Sequence, residues 1–591
     1  MGILATHNTI ATKKELQPIH EQMRIAFSEV QKKSMRGNFV SAAMAFSDIQ
    51  KNIREIKRII GPLSLLTTPE GDSPVRDILL LAEQSGKMGE IAAQQARLFL
   101  RIPDMLLSQQ SVLPVLKQAE KLEKGILALT QRMERSLQKV SRSPVLSAMW
   151  RDKAKNITGT LHEIEEQGEK GQYLFSAAYA LLRGTTAIFY QNTGEIRATG
   201  GFMGSMSYLF GKNGVLTGEF HDIYELSWKD TSHLPPPPGF ERLAKKMNVQ
   251  DANFEPNFPD SANAIRKMLA HTSSPVPETV VVVNDALFFE ILKKTGGIPI
   301  FVQEKKILLT ANNAPMLLSF LVEAKASGLH TPKNILRDAI PVLFQKGKQL
   351  SISDMADIVR KAIEKKWILA HSTNADIQRA IEMLGIDGKI RSGTEADFLA
   401  VFSANVGGNK SDRFLRETLH ITSIVSAEQV IINTLNITHK HTWGEKENMR
   451  FEKIFATYGG FALGKNILRE IMGAGENHSF VQVVVPKGST LLAVSGVPAE
   501  AVRTENKNGK TVFSFRFPAV AAGKEESVQL QYRLPKREQN DNFDLVFQSQ
   551  PGRGAVRVIR EILRETGVSM EGKAFSVRET ETDTRFFAKI L

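Results

Sequence analysis

The chain has 591 residues, a length that predicts roughly three to five domains, and its 42% apolar and 24% charged content excludes disorder as the main state. It carries 76 Lys+Arg against 63 Asp+Glu, a net charge of +13 that favours anionic partners: nucleic acid, anionic lipid or a phosphorylated glycan. The absence of cysteine excludes disulfides, thiolate metal sites and cysteine nucleophiles, and no apolar run is long enough for a membrane-spanning helix.

The first residues, MGILATHNTIATKKEL, lack the apolar core of a signal peptide, although MGILAT fits the short myristoylation pattern. A helix is expected around 12–35. Phe39, Ala43, Phe46, Ile49, Ile53, Ile56 and Ile60 then make one apolar stripe at helical spacing, closed by Gly61-Pro62. Further helical patterns cover about 76–100, 111–141 and 145–183. Residues 1–183 therefore read as a helical bundle or stalk.

The pattern changes near residue 184. TTAIFYQN reads as a strand, and MSYLFGKNGVLTGEFHDIYEL as two strands around a turn at 211–214. Pro235–Pro238 form a rigid exposed segment. SANAIRKMLAHT reads as a helix with Asp260 as its N-cap. ETVVVVNDALFFEILKKTGGIPI reads as a buried strand, a helix from Asp285, a stop at Gly296-Gly297 and another strand. This order predicts a layered α/β domain over 184–450, with a helical insertion at 315–395. DFLAVFSANVGG is strand-like, and RETLHITSIVSAEQVIINTLNITHKH alternates like an exposed β-hairpin. FVQVVVPKGSTLLAVSG, GKTVFSFRFPAV and ESVQLQYRLP add short strands, and AVRVIREILRETG a late helix. Residues 451–591 are thus expected to be β-rich and similar to a β-sandwich. The expected class is multidomain α+β.

Candidate chemistry centres on GEIRATGGFMGS. Paired glycines at Gly200 and Gly201 permit a sharp turn or a close approach to a ligand, and Arg197 can grip a phosphate or carboxylate through two parallel hydrogen bonds. The same stretch also fits a plain structural turn. A strand-like segment follows it, which excludes a dinucleotide-binding loop. GGFALGKN resembles a P-loop at Gly459, Gly464 and Lys465, but Asn466 replaces the hydroxyl that would hold magnesium. His439 and His441 share a strand face without nearby carboxylates and read as surface residues. In DANFEPNFPDSA, Asp251 and Asp260 could hold magnesium or calcium, or form Asx turns and a helix cap. In SANVGGNKSDRF, Gly407-Gly408 with Lys410, Asp412 and Arg413 fit an anion cradle or a solvated loop equally well. No RNP signature, zinc-finger spacing or long basic tract occurs, so nucleic acid rests on charge alone and is not the expected partner.

These motifs, taken with VVVPKGS, VQLQYRLP, IDGKI and FQSQPG, are similar to a bacterial family of membrane-anchored envelope proteins known only as a domain of unknown function. E-x-R-x-T-G-G-F at 195–202 and N-x-G-G-x-K-S-D at 405–412 carry the resemblance, which runs from about 184 to 552. Members carry an N-terminal membrane helix that these residues do not include. The α/β part also resembles the LytR-CpsA-Psr phosphotransferases, which transfer glycan polymers from a polyprenyl diphosphate carrier. Arg197 falls where that family has its R-[ST]-D-T arginine, Thr199-Gly200 where its metal-binding aspartate is expected, and FHDIYEL where an arginine-aspartate pair stands, with Asp222 keeping the acidic position.

The resemblance implies an extracytoplasmic cell-envelope protein: a non-catalytic scaffold binding glycan, lipid-linked glycan or envelope proteins, or alternatively a phosphotransferase acting through an Arg197 cleft. The residues expected at an anion site are Arg197, Gly200, Gly201, Asp222, Asp251, Lys410 and Arg413. Arg197 has two candidate occupations: an internal pair with Glu195, Asp222 or Asp251, or an open cleft that takes phosphate.

Overall fold

A computed structural model of the chain describes residues 51, 74–142, 148–302, 305–325, 333–391, 397–426, 428, 430–459, 463–535, 543–566 and 568–590. The helix expected at 12–35 and the apolar stripe from Phe39 to Ile60 lie outside the described residues. The chain forms two compact units. The first takes the described residues up to Arg183 together with 211–217 and 350–355, and the second takes the rest.

The first unit is helical. α1 (Pro74–Leu107), α2 (Leu113–Arg142) and α3 (Ala148–Leu181) follow one another through short connections. On α2, Val115, Leu116, Ala119, Ile126, Leu129, Met133, Leu137 and Val140 recur three or four apart and are buried. That is one stripe of a helix facing its neighbours. Leu98 of α1 and Phe175 of α3 share a cluster with the α2 end of the stripe near Val115, and Ile78 and Leu161 share another near Leu137. Among the described residues no helix is long and apolar enough to cross a membrane.

The second unit opens with β1 (Thr185–Asn192), β2 (Phe202–Lys212) and β3 (Val215–Asp222). The segment DIYEL, expected to continue a strand, forms the short helix α4 (Ile223–Lys229), because the Asp222 carboxylate caps it by accepting from the Tyr224 amide at 3.1 Å. α5 (Phe258–Ala270), β4 (Thr279–Asn284) and α6 (Asp285–Thr295) follow. The N-cap of α5 is Asn257 rather than Asp260, which sits in the first turn instead. The hairpin of β5 (Ile298–Val302) and β6 (Lys305–Leu309) leads to α7 (Ala314–Glu323), α8 (Asn334–Gly347), α9 (Ile352–Glu364), β7 (Ile368–Ser372) and α10 (Ala375–Met383). A five-stranded sheet runs β3-β2-β1-β4-β7, with β1 and β4 parallel. Its core joins Phe189, Met206 and Val282 of the sheet to Ile265 and Leu269 of α5.

The remaining elements are β8 (Asp397–Asn405), β9 (Leu415–Val425), β10 (Ile431–His441), α11 (Glu445–Tyr458), α12 (Lys465–Arg469), β11 (Ser479–Pro486), β12 (Thr490–Ser495), β13 (Arg503–Lys507), β14 (Lys510–Arg516) and β15 (Glu525–Arg533). They end with β16 (Leu545–Phe547), β17 (Val556–Arg564), β18 (Met570–Gly572), β19 (Phe575–Thr580), β20 (Thr584–Phe586) and β21 (Ala588–Ile590).

Two six-stranded sheets result, β12-β15-β10-β9-β17-β19 and β13-β14-β11-β8-β16-β20. Leu419, Leu435 and Leu530 of the first share one core with Val401, Val483 and Phe513 of the second. The second sheet is covered on its other face too, where Ala198 and Ile390 pack on Phe402 and Val484. This explains why every residue of β8 is buried and why its sequence runs apolar without alternation. Strands from 397–441 pair with strands beyond 451, so both sheets cross the boundary expected at 450.

Two further expectations change. AVRVIREILRETG is not a late helix but strand β17, parallel to β9. Val556, Val558, Arg560 and Ile562 point inward at period two, and the buried Arg560 guanidinium donates to the Phe543 and Phe586 carbonyls. The same residues also fit a helical spacing, and pairing with β9 decides between them. The β9–β10 hairpin is central rather than exposed, with β15 on one side and β17 on the other.

Candidate functional site

The loop between β1 and β2 holds GEIRATGG. It is a compact turn knitted by its own backbone: Gly194 donates to the Asn192 side chain at 2.9 Å, Gly200 to the Arg197 carbonyl at 2.9 Å, and Phe202 to the Glu195 carbonyl at 2.8 Å. The glycines serve this packing. A Cβ on Gly201 would stand 2.4 Å from the Asn192 carbonyl oxygen, and Gly200, at φ +133°, lies against the Gln191 side chain. Only glycine meets both demands. Thr199 accepts from Gln191 and Asn253, and Asn253 also donates to the Gly201 carbonyl at 2.8 Å. The DANFEP segment thereby clamps the turn.

The structure gives Arg197 the internal occupation. Its side chain is 1% exposed, 3.0 Å from Glu195 and 3.5 Å from Asp251. It also donates to the Ile196 and Asn405 carbonyls, and the Phe240 and Phe202 rings lie 4.9 and 5.5 Å from its guanidinium carbon. Burial pushes the Glu195 and Asp251 carboxyls above their ordinary values, and the guanidinium between them does not offset it.

The other expected site residues have separate partners. Asp222 pairs with Lys333 at 2.7 Å while capping α4. Lys410 is buried and pairs with Glu323 at 2.6 Å. Asp260 accepts from Asn257 and Asn508. Among the described residues Asp251 and Asp260 are not gathered with a third ligand. Among the described residues the one group of three histidine and carboxylate side chains close enough to share an ion is Glu134, His162 and Glu165, in the helical unit. The segment before the P-loop-like stretch is the helix α11 rather than a strand, and Lys465 pairs with Glu452 at 2.6 Å.

Two histidines read as surface residues are fully buried. His441 contacts the Gly475 carbonyl at 3.2 Å. The His439 Nε2 lies 2.9 Å from the Glu417 carboxylate, the carboxylate absent from its sequence neighbourhood and supplied by the adjacent strand β9. Arg553 completes this network. It donates to Asp412 and Glu417, each at 3.1 Å, and is 3% exposed. Asp412 also accepts from the Ile196 amide and from the Asn405 and Asn477 side chains. Burial pushes Glu417 up, but Arg553 and His439 together bring it below its ordinary value, while burial lowers His439. Asn405 joins the two networks, its carbonyl on Arg197 and its side chain on Asp412.

A cavity of about 210 Å³ opens beside Arg553. Thr193 and Ala286, just past the carboxyl ends of the parallel strands β1 and β4, form part of its wall. Arg413, Arg416, Arg553 and Lys365 bring four cationic side chains from three segments. Arg413 is tethered to Asp285 at 3.2 Å, to Asn192 and to the Pro315 carbonyl, and Lys365 to Glu581 at 2.7 Å. Arg416 is exposed and has no ion-pair partner among the described residues. Of the residues expected at an anion site, Arg413 alone lines this cavity. Arg416, Arg553 and Lys365 were missed, although PGRG at 551–554 repeats the pattern of an arginine set among glycines.

Residues 184–320, from β1 into α7, match a family model described as "Protein of unknown function (DUF4012)". No curated protein matches the chain.

Proposed function

We propose that this is a non-catalytic protein of the cell envelope, standing on the extracytoplasmic side of the membrane and binding cell-wall glycan or a protein partner there. The resemblance of its motifs to membrane-anchored envelope proteins supports the location. The observation that carries the non-catalytic reading is the closure of the Arg197 site. Phosphoryl transfer depends on cations presented to the developing charge of the reacting group. Here Glu195 and Asp251 occupy the guanidinium and the Phe202 and Phe240 rings flank it. Chemistry on a polyprenyl diphosphate at Arg197 would require both acids and both rings to be displaced.

The test combines fractionation with a transfer assay. The product of the full-length gene is expected in the envelope fraction, and the purified chain is expected to sediment with isolated cell-wall glycan without moving glycan from a polyprenyl diphosphate donor. Transfer that Arg197→Lys abolishes in protein folded by circular dichroism, or exclusive recovery from the cytosol, would overturn the reading.

A further inference from the structure

The geometry points to a binding site for a phosphate-bearing anion in the cavity between Arg413, Arg416 and Arg553, separate from the closed Arg197 site and independent of where the protein resides. Three observations converge on it. The cavity lies at the carboxyl ends of the parallel strands β1 and β4, the position at which open α/β sheets take ligands. Its cationic groups come from three segments: Lys365 after α9, Arg413 and Arg416 around the start of β9, and Arg553 between β16 and β17. Such convergence is a property of the folded site and not of one basic stretch. Two of the guanidinium groups are also held in advance. Arg553, held by Asp412 and Glu417, and Arg413, held by Asp285, Asn192 and Pro315, give the wall a fixed shape, and the exposed Arg416 and the half-buried Lys365 are the cations that reach a bound anion.

Charge decides what fills the cavity. Of the four cations in its wall, Arg553 is matched by Asp412 and Glu417, Arg413 by Asp285 and Lys365 by Glu581, so that among the described residues Arg416 carries the uncompensated charge. Asp412 is turned into the protein, where the Ile196 amide and the Asn405 and Asn477 side chains share its charge. Glu581 differs. Its side chain is 37% exposed and its ion pair is with Lys365, itself 28% exposed, so it can swing away and leave Lys365 to the ligand. Among the described residues Arg416 has no ion pair to lose. A planar guanidinium matches two phosphate oxygens in parallel, and the volume suits one phosphate or diphosphate group with part of what it is attached to. Glu581 is then the resident counter-ion that the ligand displaces.

The experiment uses the full chain and two variants away from the buried networks, Arg416→Gln and Glu581→Gln. Calorimetric titration with inorganic pyrophosphate is expected to show binding that weakens about tenfold in Arg416→Gln, the scale of one charge-assisted bond, and tightens in Glu581→Gln as the competing carboxylate is removed. Co-sedimentation with phosphatidylcholine vesicles containing phosphatidylglycerol is run in parallel. Arg416 dependence with pyrophosphate identifies a soluble phosphate ligand, and the same dependence with vesicles alone identifies a lipid headgroup. Absence of binding in both arms, or binding that neither variant changes, overturns the site.

Discussion

Arg197 and Arg553 invite comparison. Each sits in a short glycine-rich segment, each is nearly excluded from solvent, and each reaches two carboxylates. Their surroundings differ. Around Arg197 the acids have few other donors: Glu195 accepts from the guanidinium, and Asp251 from the guanidinium and Asn248 at 3.5 and 3.4 Å. Around Arg553, Asp412 collects an amide and two carboxamides, and Glu417 has a histidine at 2.9 Å. Burial accordingly raises Glu195 and Asp251, while Glu417 is held below its ordinary value. One arginine closes a turn, and the other, with His439, holds Glu417 below its ordinary value at the edge of a cavity. At Glu195 burial outweighs the attraction of Arg197, whereas at Glu417 the attraction of Arg553, with His439 added to it, outweighs burial.

The largest expected effect breaks the first region. Arg197→Ala strands two buried carboxylates and two carbonyl acceptors, and denaturant unfolding should show a loss of about 3–5 kcal/mol, the scale of a broken buried pair. A loss below about 1 kcal/mol would mean that Glu195 and Asp251 reach water without it.

Arg553→Ala should cost a similar amount at pH 8 and less at pH 5.5. With the guanidinium gone, His439 faces Glu417 at 2.9 Å without a cation that opposes its charge, so its folded pKa rises from the lowered value that burial and Arg553 give it in the parent. A histidine held below its unfolded pKa costs stability as pH falls through the unfolded value, and lifting the folded pKa relieves part of that cost at low pH. The deficit of Arg553→Ala should therefore grow with pH. Arg197 contacts no histidine among the described residues, so the pH dependence of its deficit comes instead from Glu195 and Asp251, whose buried carboxyls rise further without the guanidinium. A pH-independent Arg553→Ala would show that His439 stays neutral beside Glu417.

What the sequence made legible follows from range. β1, β4 and α6 are local patterns of apolar residues, a cap and a glycine stop, and they fold as written. The choice of internal partners for Arg197 could be narrowed to Glu195, Asp222 or Asp251, and two of those three are the partners found. What stayed hidden is long-range. Glu417 reaches His439 only because β9 pairs with β10, and Arg553 reaches Asp412 across 141 positions of chain. β17 was misread because its spacing suits helix and strand alike, and only its pairing with β9 separates the two.

A middle-sized effect tests why the glycines are there. Gly201→Ala places a Cβ against the Asn192 backbone and should cost about 1–3 kcal/mol as overpacking. Gly464→Ala, in the P-loop-like stretch, meets nothing within 4 Å and should stay within about 0.5 kcal/mol of the parent. Equal losses at the two positions would remove the close-approach argument for the turn at Arg197.

The smallest expected effect sharpens the comparison through pH. Glu195→Gln keeps an oxygen acceptor for Arg197 and removes a carboxylate whose ionisation is opposed by burial. Arg197 retains Asp251 and the Ile196 and Asn405 carbonyls, so the variant should stay folded, with a change of about 1 kcal/mol, the scale of one hydrogen bond. The sign of its pH dependence is the informative part. A carboxyl with a folded pKa above its unfolded value binds more protons in the native state, so its contribution to stability falls as pH rises from the ordinary carboxylate range through the folded pKa. The stability of the parent relative to Glu195→Gln should therefore decline from pH 4.5 towards neutrality. If the parent instead gains on the variant as pH rises, the attraction of Arg197 outweighs the burial of Glu195. The turn would then hold its acid ionised as the Arg553 network does, and the contrast between the two arginines would rest on the cavity alone.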